Sequence, residues 1–269
     1  RVTDSAWVSR LVSICRKEKI DIVLPGIEQD VKAFRRNRKT FRRLVSAFIM
    51  LNSECALTLG FDKLALYQFA KQHHIVTPAT WPADADGIRS VVCGRFRGLL
   101  KPRSGMAGKG IYAVDSMADF DFWKKKIDSK KYLLQRRIGS ESVEFTVSVF
   151  GFRDKTTTVP LILKRKLNYG STFEAWTVTN QNLSRIAAEI ARLLRVIGPT
   201  NFQFRRRGGA YYLIDVNPRF SSSVSIKARF GFNEALMAVQ SFVLGRKTIV
   251  PQIKKGRCSR YIEDSVKFG

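Results

Sequence analysis

Apolar residues along this chain recur in two periods, and the change of period marks the elements. Trp7, Leu11 and Ile14 fall at helical spacing. Ile186, Ile190, Leu193 and Ile197 line one face of a helix expected over residues 184–197, stopped by Gly198-Pro199. Leu236, Val239 and Val243 repeat that spacing inside a helix expected over 228–245. Further helices are expected near 30–38, 120–126 and after Asp62, whose carboxylate is suited to cap the run from Lys63 to Ala70. Between them lie short apolar runs that read as strands: 20–25, 47–51, 98–101, 111–114, 132–135, and a pair at 144–152 and 157–165. A hairpin follows, Asn201-Phe202-Gln203-Phe204 out and Tyr212-Leu213-Ile214 back, and a last strand is expected around Arg260 to Ile262.

Strands and helices mixed in this order predict an α+β chain in three sections. Residues 1–60 read as an α/β unit, with Gly26 to Asp30 at the carboxyl end of its strand, where such sheets bind ligands. Residues 61–145 read as a small strand-rich lobe and residues 146–269 as a larger one. Arg1 is not an initiator methionine, so the sequence is expected to begin inside a longer chain or after a disordered segment.

The densest chemistry ends the hairpin, at Asp215-Val216-Asn217-Pro218-Arg219. Strand residues two apart share a face, so Asp215 and Asn217 stand side by side with Arg219 just beyond. Gln203 joins them only if the hairpin register is right. A three-residue turn, Gly208-Gly209-Ala210, pairs Gln203 with Asp215, whereas a two-residue turn pairs it with Ile214 and turns it away. The longer turn, with positive φ at Gly208 or Gly209, is therefore expected. Oxygen ligands around one point suit Mg²⁺, and a guanidinium beside them suits phosphate oxygens.

A second phosphate-binding signal lies upstream. Lys101 leads into Pro102-Arg103-Ser104-Gly105-Met106-Ala107-Gly108-Lys109-Gly110. This loop joins two strands and lacks the Lys-Ser/Thr ending of a P-loop, so it reads as a hairpin lid whose glycines let backbone approach phosphates.

Composition narrows the classes. The net charge is +26, from 48 Lys and Arg against 22 Asp and Glu. Basic runs at Arg35 to Arg43, Lys124 to Lys126, Arg205 to Arg207 and Lys254 to Arg257 suit either an acidic partner, nucleic acid included, or solvated faces. None is interleaved with aromatics in an RNA-binding pattern. No apolar run nears the roughly 20 residues of a membrane span. Four scattered cysteines and the adjacent His73 and His74 give no disulfide framework or zinc site, and a cytoplasmic location is expected. No G-x-S-x-G elbow marks a serine hydrolase.

Taken in order, Asp62-Lys63, Lys101-Pro102 with its glycine loop, Glu144-Phe145-Thr146-Val147, Asn201-Phe202-Gln203 and Asp215 to Arg219 resemble the ATP-grasp superfamily. Within it the chain most resembles the carbamoyl-phosphate synthase large chain and amino-acid or peptide carboxylate–amine ligases, from about Ile20 onward. The resemblance implies an ATP-grasp fold, two α+β lobes around ATP, preceded by a partial Rossmann-like α/β domain.

It also implies roles for particular residues. Lys63 and Lys101 bind phosphates, with Ser104, Gly105, Gly108 and Gly110 as the lid. Gln135 and Ile138 flank the adenine slot, and Glu144 accepts ribose hydroxyls. Gln203, Asp215 and Asn217 hold Mg²⁺, or Mn²⁺ in its place. Arg219 reaches the substrate carboxylate beside an acceptor pocket at Gly170-Ser171-Thr172 and Ser221 to Ser223. Two departures stand out: Arg136 where an acidic residue is usual, and Asp215 where glutamate is usual. The implied reaction joins a small-molecule or peptide carboxylate to an amine through an acyl phosphate, with a homodimer allowed. Two alternatives stay open, a polyanion-binding protein on the same scaffold and a bicarbonate-using enzyme.

Overall fold

The computed structural model describes residues 5–93, 96–105, 108–139, 144–168, 171–246, 249–261 and 266. Its first unit runs α1 (Ser5–Lys17), β1 (Ile22–Val23), α2 (Glu28–Arg36), α3 (Arg38–Leu44) and β2 (Phe48–Ile49). The two strands pair in parallel, Ile22 opposite Phe48, with α2 and α3 as the crossover. Val12, Val31, Phe34, Phe41, Leu51 and Leu57 form its core, with Trp7 edge-on to Phe34. Ile14 does not join it: Val12 and Cys15 are the buried residues of α1, and Ile14 is exposed. The single helix expected near 30–38 is two helices, because Asn37 sits off helical geometry and its side-chain amide donates back to the Ala33 carbonyl at 3.0 Å.

Two capped helices follow, α4 (Glu54–Phe61) and α5 (Lys63–Gln72). Ser53 caps α4, and Asp62 caps α5 by accepting from the Leu64 and Ala65 amides. Ala56, Leu59 and Leu66 pack with Val147, Phe202 and Val216 of the larger sheet. Residues 63–72, grouped by sequence with the small lobe, thus lie on the large one.

The smaller unit contains β3 (Thr80–Pro82), α6 (Ile88–Val92), β4 (Gly98–Pro102), β5 (Tyr112–Val114), α7 (Met117–Lys124) and β6 (Tyr132–Arg136). The strands form an antiparallel sheet in the order β3-β6-β4-β5, closed over Leu100, Val114, Phe120 and Leu134.

The larger unit contains β7 (Glu144–Gly151), β8 (Leu161–Asn168), β9 (Ser171–Thr177), α8 (Gln181–Leu193), β10 (Gly198–Arg207), β11 (Ala210–Asn217), α9 (Val224–Arg229), α10 (Glu234–Ala238) and β12 (Arg257–Ser259). Its sheet order is β11-β10-β7-β8-β9-β12. Helix α8 starts earlier than expected, capped by Asn180, and buries Leu183, Ala187, Ile190 and Ala191. Strand β8 starts at Leu161, just after Pro160, which has no amide to give the ladder. The last strand is Arg257–Ser259, short of the expected Arg260; Ile262 lies outside the described residues.

The stripe expected at Leu236, Val239 and Val243 is displaced. Leu236 and Val243 are exposed, and Met237, Ala238, Ser241 and Phe242 are buried. A π-helical stretch over Val239–Val243 continues α10 and widens the turn, so the 3.6-residue period does not carry through.

Candidate active site

Period-two alternation gives the larger sheet one apolar face and a second face that is polar across β7, β10 and β11, while Phe150, Leu161 and Leu163 on that second face join another apolar cluster. Phe145, Val147, Val149, Phe202, Phe204 and Val216 belong to the core that α8 covers. On the second face the polar rungs join β7, β10 and β11. Ser148 lies opposite Asn201, Thr146 opposite Gln203 and Glu144 opposite Arg205. Asn201 lies opposite Asn217 and Gln203 opposite Asp215.

The register of that last pair does not come from the expected turn. Arg207 pairs with Ala210, so the turn is the two-residue Gly208-Gly209, with φ of 54° and 81°. Both central residues have positive φ, which glycine adopts at little cost. The expected three-residue turn is therefore corrected. A register shift between Gln203 and Phe204 restores the parity: Phe204 pairs with Leu213 and Gln203 with Asp215, leaving Ile214 as the extra residue of a β-bulge.

Asp215, Asn217 and Arg219 form a short hydrogen-bonded run. The Asn217 amide donates to Asp215 Oδ2 at 3.4 Å, and Arg219 Nη2 donates to Asn217 Oδ1 at 3.4 Å. Arg219 Nη1 donates to the Phe220 carbonyl at 2.9 Å, which fixes its direction. Helix α4 backs this turn closely; a Cβ at Gly60 would collide with the ring of Pro218.

Lys101 comes from β4 of the smaller sheet. It is 6% exposed, and its Nζ donates to Gln135 Oε1 at 2.7 Å. Gln135 Nε2 donates to Thr80 Oγ1 at 2.8 Å, and Thr80 donates to the Pro78 carbonyl. The Gln135 side chain holds the lysine, a contact that leaves its backbone as the part expected to flank the adenine slot. Burial pushes the Lys101 ammonium down to about 7; the Asp215 carboxylate opposes this, while Lys63 and Arg205 add to it.

The loop after Lys101 is a hairpin connection, with Leu100 opposite Tyr112. Its start is tied to the α4–α5 corner. Ser104 Oγ donates to the Phe61 carbonyl at 2.7 Å, and Lys63 Nζ donates to the Gly105 carbonyl at 3.0 Å. Arg103 makes a two-pronged bond to Asp62, at 2.8 and 2.6 Å. Burial acts to raise the Asp62 carboxyl, but Arg103 and the two capping amides together hold it below the usual range. Gly108 and Gly110 both have positive φ, and Met106 and Ala107 lie outside the described residues.

Glu144 differs from expectation. It is 3% exposed, with Arg165 Nη2 on Oε1 at 2.6 Å and Arg205 Nη2 on Oε2 at 3.5 Å. Both oxygens face arginines directly opposite on the neighbouring strands, so the geometry assigns Glu144 to them and gives the ribose role no support. Ile138 is buried just beyond β6, where the linker to the larger sheet begins. Thr172 is buried and accepts from Arg165 at 3.4 Å; Ser221 and Ser223 bond each other at 3.0 Å; Gly170 lies outside the described residues.

Arg165 and Arg205 were not picked out from sequence, although a signal was present. Leu161, Leu163 and Arg165 share a face by parity, as do Gln203 and Arg205; the basic run hid the second. The buried Lys227 and Glu234 gave no signal: Lys227 lies just before the helix expected over 228–245, and Glu234 is off the apolar spacing of that helix.

A family model described as "ATP-grasp in the biosynthetic pathway with Ter operon" matches residues 130–264, half of the chain. The chain belongs to the ATP-grasp family. A search of curated proteins gave no match. Among solved structures, the biotin carboxylase domain of a Hydrogenobacter thermophilus 2-oxoglutarate carboxylase, in complex with MgADP, ADP and bicarbonate, is similar at TM-score 0.77 and 13% identity, over 93% of this chain and 60% of that one. N5-carboxyaminoimidazole ribonucleotide synthetase from Thermus thermophilus is similar at TM-score 0.71 and 16% identity, over 89% and 66%. N5-carboxyaminoimidazole synthetase from Staphylococcus aureus, complexed with ADP, is similar at TM-score 0.71 and 13% identity, over 95% and 67%. The ATP-grasp chain thus spans 60–67% of the length of these structures. At such identities the likeness shows the fold, in agreement with the two sheets and the loop-bearing hairpin described above. No helix among the described residues is long and apolar enough to cross a membrane.

Proposed function

We propose that this ATP-grasp chain is an ATP-dependent carboxylate–amine ligase that forms an amide through an acyl phosphate. One observation carries the reading. Gln203, Asp215 and Asn217 share one face of the larger sheet with Arg219 beside them, and Lys101 of the smaller sheet lies within the field of Asp215. A nucleotide whose phosphates sat between the two sheets would meet all five.

Mg²⁺ fits this donor set, which supplies one carboxylate and two neutral amides. Among the described residues there is no group of three His, Cys, Asp or Glu to cage a metal alone, so the ion is expected to arrive with its nucleotide. When bound, Mg²⁺, or Mn²⁺ in its place, neutralises phosphate oxygens. Lys101 and Lys63 would hold phosphate oxygens, and the loop from Ser104 to Gly110 would close over them and exclude water. Ile138 would line the adenine slot. Arg219 would orient the substrate carboxylate in line with the γ-phosphorus. That carboxylate attacks phosphorus and ADP leaves; the amine then attacks the acyl carbon, phosphate leaves with the electron pair, and the amine proton passes to solvent or phosphate. The reading asks for positioning and positive charge and for no side-chain nucleophile.

A second reading has its own support. A structural neighbour described with bicarbonate raises bicarbonate as the carboxylate in this chain also. One screen separates the two. Purified protein with Mg-ATP is offered carboxylate–amine pairs, with and without bicarbonate, and ADP release is measured. ADP that requires both an organic carboxylate and an amine, in equal amount to amide, supports the ligase. ADP that requires bicarbonate supports the second reading, and no ADP under any pairing contradicts both.

A further inference from the structure

The described residues contain one ion pair with both side chains fully buried, and the reaction outlined above does not use it. Lys227 of α9 and Glu234 of α10 are 0% exposed, with Nζ and Oε1 2.6 Å apart. Isolated buried charges are costly, and an apolar pair would pack as well, so its placement matters. The second Glu234 oxygen, Oε2, is buried without a hydrogen-bond partner, so the pair is not optimised for stability alone.

Its contacts lead to the polar face. Lys227 Nζ also donates to Asn201 Oδ1 at 2.9 Å, an oxygen that accepts from Ser148 Oγ at 2.8 Å as well. With its oxygen held twice, the Asn201 amide can only point its Nδ2 one way, and it donates to the Arg219 carbonyl at 3.1 Å. From Arg219 the run continues through its guanidinium to Asn217 and from Asn217 to Asp215. One hydrogen-bonded line therefore joins Glu234, Lys227 and Asn201 to the Asp215–Asn217–Arg219 turn.

We propose that Asn201, Lys227 and Glu234 are positioning residues that fix this turn for the metal–nucleotide complex. The proposal rests on the reading that Asp215, Asn217 and Gln203 meet Mg²⁺. Loss of the network would free the Arg219 carbonyl and let the Asn217 and Asp215 oxygens move, while leaving Lys101 and the glycine-rich loop in place. Nucleotide affinity without metal would survive, and the tightening that metal adds would not.

Calorimetric titration of the nonhydrolysable analogue AMPPNP, with and without Mg²⁺, tests this. Lys227→Met/Glu234→Leu replaces the pair with apolar groups and leaves no lone buried charge; Asn201→Ser breaks the line at a second point and removes little volume. Both variants are expected to bind AMPPNP without Mg²⁺ within about twofold of wild type, and to lose about tenfold of the Mg²⁺-dependent gain. A general loosening would weaken both titrations together and overturn the positioning role. Folded variants that keep the full gain would also overturn it. A wild-type protein with no Mg²⁺-dependent gain would overturn the metal reading itself, and the proposal with it.

Discussion

Gln203 stands directly opposite Asp215 only because Ile214 is an extra residue in its strand. The two-residue Gly208-Gly209 turn, left to itself, would pair Gln203 with Ile214 and turn Asp215 toward the apolar core beside Phe202. The bulge shifts the strand by one residue and puts both side chains on the polar face. Turn and site are thus set by separate devices. Gly209→Val, at φ 81°, should cost about 1–2 kcal/mol of stability. It should leave Mg-AMPPNP affinity within about twofold, as thermal melts and calorimetry together would show. A collapse of affinity in a folded variant would mean that the turn sets the site.

Lys101 should make nucleotide binding sensitive to pH. Its ammonium sits at about 7 in the free protein, below the ordinary 10.5. Phosphate oxygens favour the charged form, so binding should take up a proton and weaken by up to about tenfold per pH unit above 7. The same shift makes the folded state bind fewer protons than the unfolded chain between about 7 and 10.5, so this residue's contribution to stability rises with pH across that window. Calorimetry in buffers of different ionisation enthalpy would count the proton. Lys101→Met should abolish the uptake; an unchanged uptake would assign it to another group.

Glu144 should behave as a structural partner of two arginines. Glu144→Ala leaves Arg165, whose side chain is 9% exposed, without its carboxylate, at a cost on the order of 3 kcal/mol. Discrimination between AMPPNP and its 2′-deoxy analogue should not change in Glu144→Gln. Loss of that discrimination, with stability intact, would restore the ribose role expected from resemblance.

The loop from Ser104 to Gly110 should gain hydrogen-exchange protection when Mg-AMPPNP binds. Lys63, which now donates to the Gly105 carbonyl, is expected to exchange that partner for a phosphate oxygen. Equal protection with and without nucleotide would make the loop a fixed hairpin tied down by Arg103 and Ser104.

Much of this architecture was legible in sequence because it depends on local rules. Asp62 caps α5 as its position predicts, and period two put Asp215 and Asn217 side by side. The rest depends on contacts between distant segments. Nothing near Gln135 says that Lys101 and Thr80 will take both ends of its amide. Nothing near Glu144 says that arginines will face it from both sides. The π-helical stretch at 239–243 breaks a period that the apolar residues alone continue, and the bulge at Ile214 breaks a parity rule that holds only for regular ladders.

The face bearing Gln203, Asp215 and Asn217 is expected to bind a Mg–nucleotide complex. Titrating AMPPNP into wild type and Asp215→Ala, each with and without Mg²⁺, tests it most directly. Asp215 is partly exposed and outside the apolar core, so the variant should fold. Mg²⁺ should tighten binding to wild type, and Asp215→Ala should lose most of that gain, on the order of 10–100-fold. A folded Asp215→Ala protein with the full Mg²⁺ gain would contradict the account.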